Sequence, residues 1–99
     1  MSYRLVAYET ADADIAEAYD WYEQKKKGLG DDFLLSLAEC CKRIFDFPFA
    51  HPIKHKYFRQ AILKRFPYVV VYEAVESGIV IYSVFHTSRK PSKKFRKKR

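Results

Sequence analysis

Long apolar runs are missing: nothing in the 99 residues approaches the roughly 20 consecutive apolar positions that a membrane-spanning helix needs. Met1-Ser2-Tyr3-Arg4 leads straight into a strand-like pattern without the apolar block of a secretory signal, so a cytoplasmic protein with no membrane partner is expected. Glycine and proline are scarce, three and four residues, which excludes collagen-like and low-complexity chains. Cysteine is confined to the neighbours Cys40 and Cys41, whose Cα atoms lie too close for an ordinary disulfide; two free thiols in a reducing compartment follow. No second Cys or His pair stands at metal-ligand spacing. A glycine-rich phosphate loop, a helical His/Glu metal motif and a nucleophile elbow are absent too, so no cofactor or metal is expected. Acids also run out, with only Glu73 and Glu76 after Asp46, which argues against a paired-carboxylate mechanism.

What the chain has is aromatic and basic. Seventeen rings (eight Phe, eight Tyr, one Trp) supply the buried area that so short a domain needs. The net charge of +7 is unevenly spread. Residues 1–50 carry six Lys/Arg against ten Asp/Glu, residues 51–88 carry five against two, and residues 89–99 carry eight basic residues and no acid. Residues 1–89 therefore read as one domain, and 90–99 as a basic, mobile extension that either solvates the protein or contacts phosphates.

Tyr3–Tyr8 is β-branched and aromatic, a first strand. Thr10 is placed to cap a helix in which Ile15, Ala18, Tyr19 and Tyr22 recur at helical spacing, and Lys25-Lys26-Lys27 suits its C-terminus. Gly28-Leu29-Gly30 breaks it. Asp31 or Asp32 caps a second helix with an apolar stripe of Phe33, Leu34, Leu37, Cys41, Ile44 and Phe45, which stops before Pro48. Residues 48–56 read as a loop. Tyr57–Leu63, Phe66–Ala74 and Ile79–His86 read as strands, the last two joined by a tight turn at Glu76-Ser77-Gly78. Tyr68–Tyr72 is apolar on both faces, as a central strand requires. The order β-α-α-β-β-β predicts an α+β domain, a helical hairpin packed on a small antiparallel sheet.

The chemistry-bearing residues gather after position 50: Lys54, His55, Lys56, Arg59, Lys64, Arg65, His86 and Arg89. On neighbouring strands such a set would build a positive hollow. Metal-free phosphoryl chemistry needs groups that stabilise negative charge, as Arg65 and Arg89 can, and one that moves a proton, as His86 can.

Three stretches together resemble the RelE/ParE superfamily of toxins. They are residues 14–45 with their Tyr-x-Trp-Tyr, Gly-Leu-Gly and Asp-x-Phe-Leu elements, the run Ala61–Tyr72 containing Lys-Arg-Phe-Pro-Tyr, and the ending His86-x-x-Arg89-x-Pro91. The resemblance spans residues 3–91 and implies the toxin half of a type II toxin–antitoxin module, neutralised by a cognate antitoxin. Two activities occur in the superfamily. ParE-like members inhibit DNA gyrase; RelE-like members are metal-independent endoribonucleases that cut messenger RNA on the ribosome. Many of the nucleases carry Arg where this chain has Val69, after Pro67-Tyr68, so the ParE-like branch is favoured. On the nuclease alternative, the resemblance implies that Lys64 and Arg65 stabilise the phosphate, His86 moves the proton and Arg89 holds the leaving strand. A third reading is an inactive toxin fold that binds nucleic acid through its basic extension. Lys54, Lys56, Arg59, Lys93, Lys94 and Arg96 are the expected target- or nucleic-acid-binding residues, with Tyr57, Phe58 and Phe95 as exposed aromatics for an antitoxin.

Overall fold

The computed structural model describes residues 4–88, in the order β1 (Arg4–Ala7), α1 (Glu9–Lys25), α2 (Leu29–Asp46), β2 (Ile53–His55), β3 (Phe58–Ile62), β4 (Tyr68–Val75) and β5 (Gly78–His86). Two helices pack on a five-stranded sheet of order β1-β5-β4-β3-β2. The α+β helical hairpin on a sheet is as expected, but the sheet is mixed. Strands β2 to β5 alternate in direction, whereas β1 runs parallel to β5. The cause is β2, a three-residue strand inside the expected 48–56 loop. It adds one reversal of the chain after α2, which turns β5 into the direction of β1. The close start of that pairing requires Gly78, where an added Cβ would lie 1.9 Å from the Arg4 carbonyl oxygen.

The helices begin differently from the sequence expectation. Tyr8, not Thr10, occupies the N-cap of α1 and offers no side-chain cap. Thr10 instead donates its hydroxyl to the Tyr82 carbonyl (2.9 Å), and Asp14 Oδ2 accepts the Val84 N–H (3.0 Å). These two α1 side chains satisfy the edge of β5 beyond the end of β1, where the strand would otherwise leave backbone groups unpaired. Helix α2 starts at Leu29, after Gly28 at φ 92°, and Asp31 and Asp32 lie in its first turn instead of capping it. The cap comes from α1: Glu23 accepts the N–H groups of Gly28 and Gly30, both at 3.0 Å.

Small and aromatic residues divide the packing. Ala11 and Ala18 let α1 lie close to the sheet, while Phe33, Leu37, Cys40 and Ile44 form the buried side of α2; Leu34 and Phe45, expected in that stripe, are exposed. Tyr68, Val70 and Tyr72 of β4 face the helices, and Val69 and Val71 point to the opposite face, where Phe85 and the half-buried Phe58 join them. This is the doubly buried central strand that the apolar run predicted.

A β-bulge in β5 decides where its last residues point. Val71 pairs with Ser83 and Tyr72 with Ile81, so Tyr82 is an extra residue on β5. Ile79 and Ile81 face the helices before the bulge; Val84 does so after it, and Phe85 goes to the other side. The inversion puts His86 on the helix side, opposite Tyr68. Tyr82 is held on the far face by its hydroxyl, which donates to Glu73 Oε1 (2.9 Å), and by edge contacts with the rings of Tyr8 and Phe58. Burial, then the bond to Glu73, keeps this phenol protonated far above its ordinary range.

Candidate functional site

At the end of β5, the His86 ring stands edge-on to Tyr68, with centroids 5.3 Å apart. Its Nδ1 accepts the Ser88 N–H at 3.1 Å and sits 2.8 Å from the Ser88 hydroxyl. A nitrogen that accepts from a backbone N–H carries no proton, so neutral His86 is held with its proton on Nε2. At the next residue, the Thr87 N–H donates to the Pro67 carbonyl (2.8 Å), which fastens this end of β5 to the β3–β4 connection that carries Lys64 and Arg65. Lys64, Arg65 and His86 are therefore neighbours at one end of the sheet.

They do not converge on a single point. Arg65, at φ 75°, sends its guanidinium towards Asp32, 3.8 Å away in the first turn of α2, and over the ring of Phe66. The Lys64 carbonyl takes the hydroxyl hydrogen of buried Ser36, which pins the turn to α2 while the lysine side chain stays in solvent. The surface that His86 does face is a cleft of about 350 Å³, lined by Glu17 and Trp21 of α1 together with Tyr68, His86 and Ser88. One wall is thus acidic and aromatic. Glu17 and Trp21 are one helical turn apart, and Lys25, one turn further, lays its ammonium 4.1 Å from the centre of the Trp21 ring.

The other expected cations lie elsewhere. Because β3 runs antiparallel to β4, its first residues lie beside Tyr72 and its last beside Val69. Lys54 and Lys56, exposed on the β2–β3 hairpin, are thereby set off from the His86 end by the length of β3, about 15 Å. Arg59 is occupied internally: its Nη1 donates to the carbonyls of His51 (2.7 Å) and Phe49 (3.3 Å), and its guanidinium covers the Phe49 ring. Together with the Tyr72 hydroxyl, which donates to the Pro48 carbonyl (2.7 Å), it staples the 47–52 segment to the sheet. His51, which faces Tyr72, is held below its ordinary pKa by burial and then by Arg43 and Arg59. The eight basic and imidazole residues do not make one hollow; those that are described divide between two ends of the sheet. Arg89, Lys93, Lys94, Arg96 and Phe95 lie outside the described residues. Of the expected aromatics, Tyr57 is exposed and Phe58 half-buried. Among the described residues, no cluster of three or more His, Cys, Asp or Glu is placed to hold a metal ion, and no helix is long and apolar enough to cross a membrane.

Residues 8–91 match the family described as the ParE toxin of the type II toxin–antitoxin system parDE. The chain belongs to this family. It is the toxin component of a type II toxin–antitoxin module, and the family implies a cognate antitoxin as partner. The fold agrees with two solved structures. One is a chain of the chromosomal ParDE system from P. aeruginosa, 18% identical, with a TM-score of 0.77 over 87% of this chain and 97% of that one. The other is the isolated E. coli RelE toxin, 16% identical, with a TM-score of 0.64 over 93% of this chain and 92% of that one. No curated protein matches the sequence significantly. Glu17, which sequence reasoning did not single out, and Trp21, seen only as part of a motif, are the residues of this toxin that the fold brings to the His86 end. Their spacing on one helix face was the available signal.

Proposed function

We propose that this ParE-family toxin acts in the cytoplasm by binding DNA gyrase, and that its antitoxin releases gyrase by covering the same protein. The observation that carries this reading is the state of the His86 end. A nuclease of this fold needs cations gathered on a phosphate and a base free to take a proton. Here Arg65 turns to Asp32, His86 Nδ1 already accepts a backbone N–H, and the acid Glu17 lines the cleft that His86 faces. Val69 at the position where the related nucleases carry Arg is buried on the opposite face of the sheet, 5% exposed. The surface suits protein binding. Leu35, Phe47 and Phe49, at 68%, 67% and 65% exposure, are apolar side chains available to a protein partner.

The test is a gyrase supercoiling assay with purified toxin. Supercoiling should fall with toxin concentration and recover when antitoxin is added. Unchanged supercoiling at excess toxin, with messenger cut in a translating extract and protected in a His86→Ala variant, would instead establish the nuclease. The extension 90–99, with Lys93, Lys94 and Arg96, and the hairpin residues Lys54 and Lys56 are proposed to add attraction for an acidic antitoxin or target, and their contribution should shrink with added salt.

A further inference from the structure

We propose that the cleft between α1 and the end of β5 is a receptor for an arginine side chain presented by an incoming polypeptide. The inference does not depend on whether the target is gyrase, since it concerns the chemistry of the cleft alone. Five described residues line it: Glu17, Trp21, Tyr68, His86 and Ser88. Among the described residues the carboxylate on its wall is Glu17, which repels an entering anion and attracts a cation. Three of these residues, Trp21, Tyr68 and His86, carry aromatic rings, and a cation is drawn to the electron-rich face of Trp most strongly among the aromatic residues. The protein itself demonstrates this affinity, because Lys25 already lays its ammonium 4.1 Å from the Trp21 ring centre.

Shape and geometry favour guanidinium over ammonium. A planar guanidinium stacks on an aromatic face and at the same time gives a carboxylate two parallel hydrogen bonds, which a lysine head cannot do. Glu17 and Trp21 stand one helical turn apart on the same face of α1, the spacing that lets one planar group reach both. Tyr68 and His86 close the far side edge-to-face, and Ser88 holds the His86 ring in place. The volume of about 350 Å³ is at the small end of ligand pockets, ample for one side chain and too small for a folded element. The cleft therefore reads one residue of a longer partner segment and lends specificity to an interface whose remaining area lies elsewhere.

Trp21 is the only tryptophan of the chain and is 52% exposed, so its emission reports on this cleft alone. The full-length toxin is titrated with Nα-acetyl-arginine amide, with its neutral isostere Nα-acetyl-citrulline amide, and with inorganic phosphate, following Trp21 emission and the indole N–H resonance. The arginine derivative should shift both signals saturably and bind at least about fivefold more tightly than citrulline, the loss expected when one charge-assisted contact is removed. Glu17→Gln, an exposed substitution that leaves the helix intact, should reduce arginine binding to the citrulline level. Lys25→Gln removes the resident cation and should strengthen it. Equal binding of arginine and citrulline, no effect of Glu17→Gln, preferential binding of phosphate, or no change in either signal would each overturn the assignment.

Discussion

Replacing Glu23 tests how the helical hairpin holds the cleft wall in place. The first N–H groups of a helix have no partner within it. In α2 two of the backbone donors at its start, those of Gly28 and Gly30, are taken by one carboxylate from the preceding helix, each at 3.0 Å. Gly30 is what lets that carboxylate come so near: an added Cβ there would meet Tyr19 Cε1 at 2.7 Å and Glu23 Oε1 at 2.8 Å. A hydrogen bond to a charged group contributes about 1.5–3 kcal/mol when sheltered, but Glu23 is only half-buried, so each bond is worth the ordinary net value of about 1 kcal/mol. Glu23→Ala should therefore cost about 2 kcal/mol, and Glu23→Gln, which keeps one acceptor and loses the charge, about 1 kcal/mol. In urea unfolding the midpoint should drop by about 1 M with an unchanged slope. Asp20→Ala, an exposed acid one turn earlier with no part in the cap, is the control. If Glu23→Ala unfolds within about 0.5 kcal/mol of the parent, or no further than Asp20→Ala, then the carboxylate does not hold the hairpin and the reasoning fails.

Three more outcomes are expected. Tyr72→Phe removes the bond to the Pro48 carbonyl while keeping the ring in the core, and should lower stability by about 1 kcal/mol in the same unfolding assay. Burial pushes the Cys40 thiol up to about 11, with Arg43 opposing, and raises Cys41 too; at pH 8 about one Cys40 in a thousand is then thiolate, so both cysteines should react slowly with a disulfide reagent in the native protein and fast in denaturant. His51 is held below its ordinary 6.5, so the folded state binds its proton less readily than the unfolded state; stability from this residue is complete above that pH and is lost as the pH falls through the lowered value. A His51→Gln variant should lose less stability than the parent between neutral and acid pH, and an identical loss would refute it.

Much of this was legible before the structure. Gly28-Leu29-Gly30 marks the hairpin because a left-handed residue must follow α1, and Tyr68–Tyr72 marks the central strand because apolar residues on both parities need cover on both faces. Three features were not legible, each for a physical reason. Ile53-Lys54-His55 is too short to show an alternation, and missing it reverses the predicted direction of β5 relative to β1. The bulge at Tyr82 lies in a run without Gly or Pro, and it alone decides that His86 turns to the helices while Phe85 turns away. Closeness in sequence also misled: Lys54, Lys56 and Arg59 precede Lys64 and Arg65 by a few residues, yet an antiparallel strand carries them to opposite ends of the sheet. Arg59 read as a binding residue because its partners are backbone carbonyls, which leave no trace in side-chain identity.

Plasmid topology and messenger integrity, measured in the same cells after induction of the toxin without its antitoxin, address the claim of gyrase binding most directly. The account predicts progressive loss of negative supercoiling with intact messenger 5′ and 3′ ends, and no change in either when antitoxin is co-expressed. Normal supercoiling accompanied by ribosome-dependent messenger cleavage would contradict it.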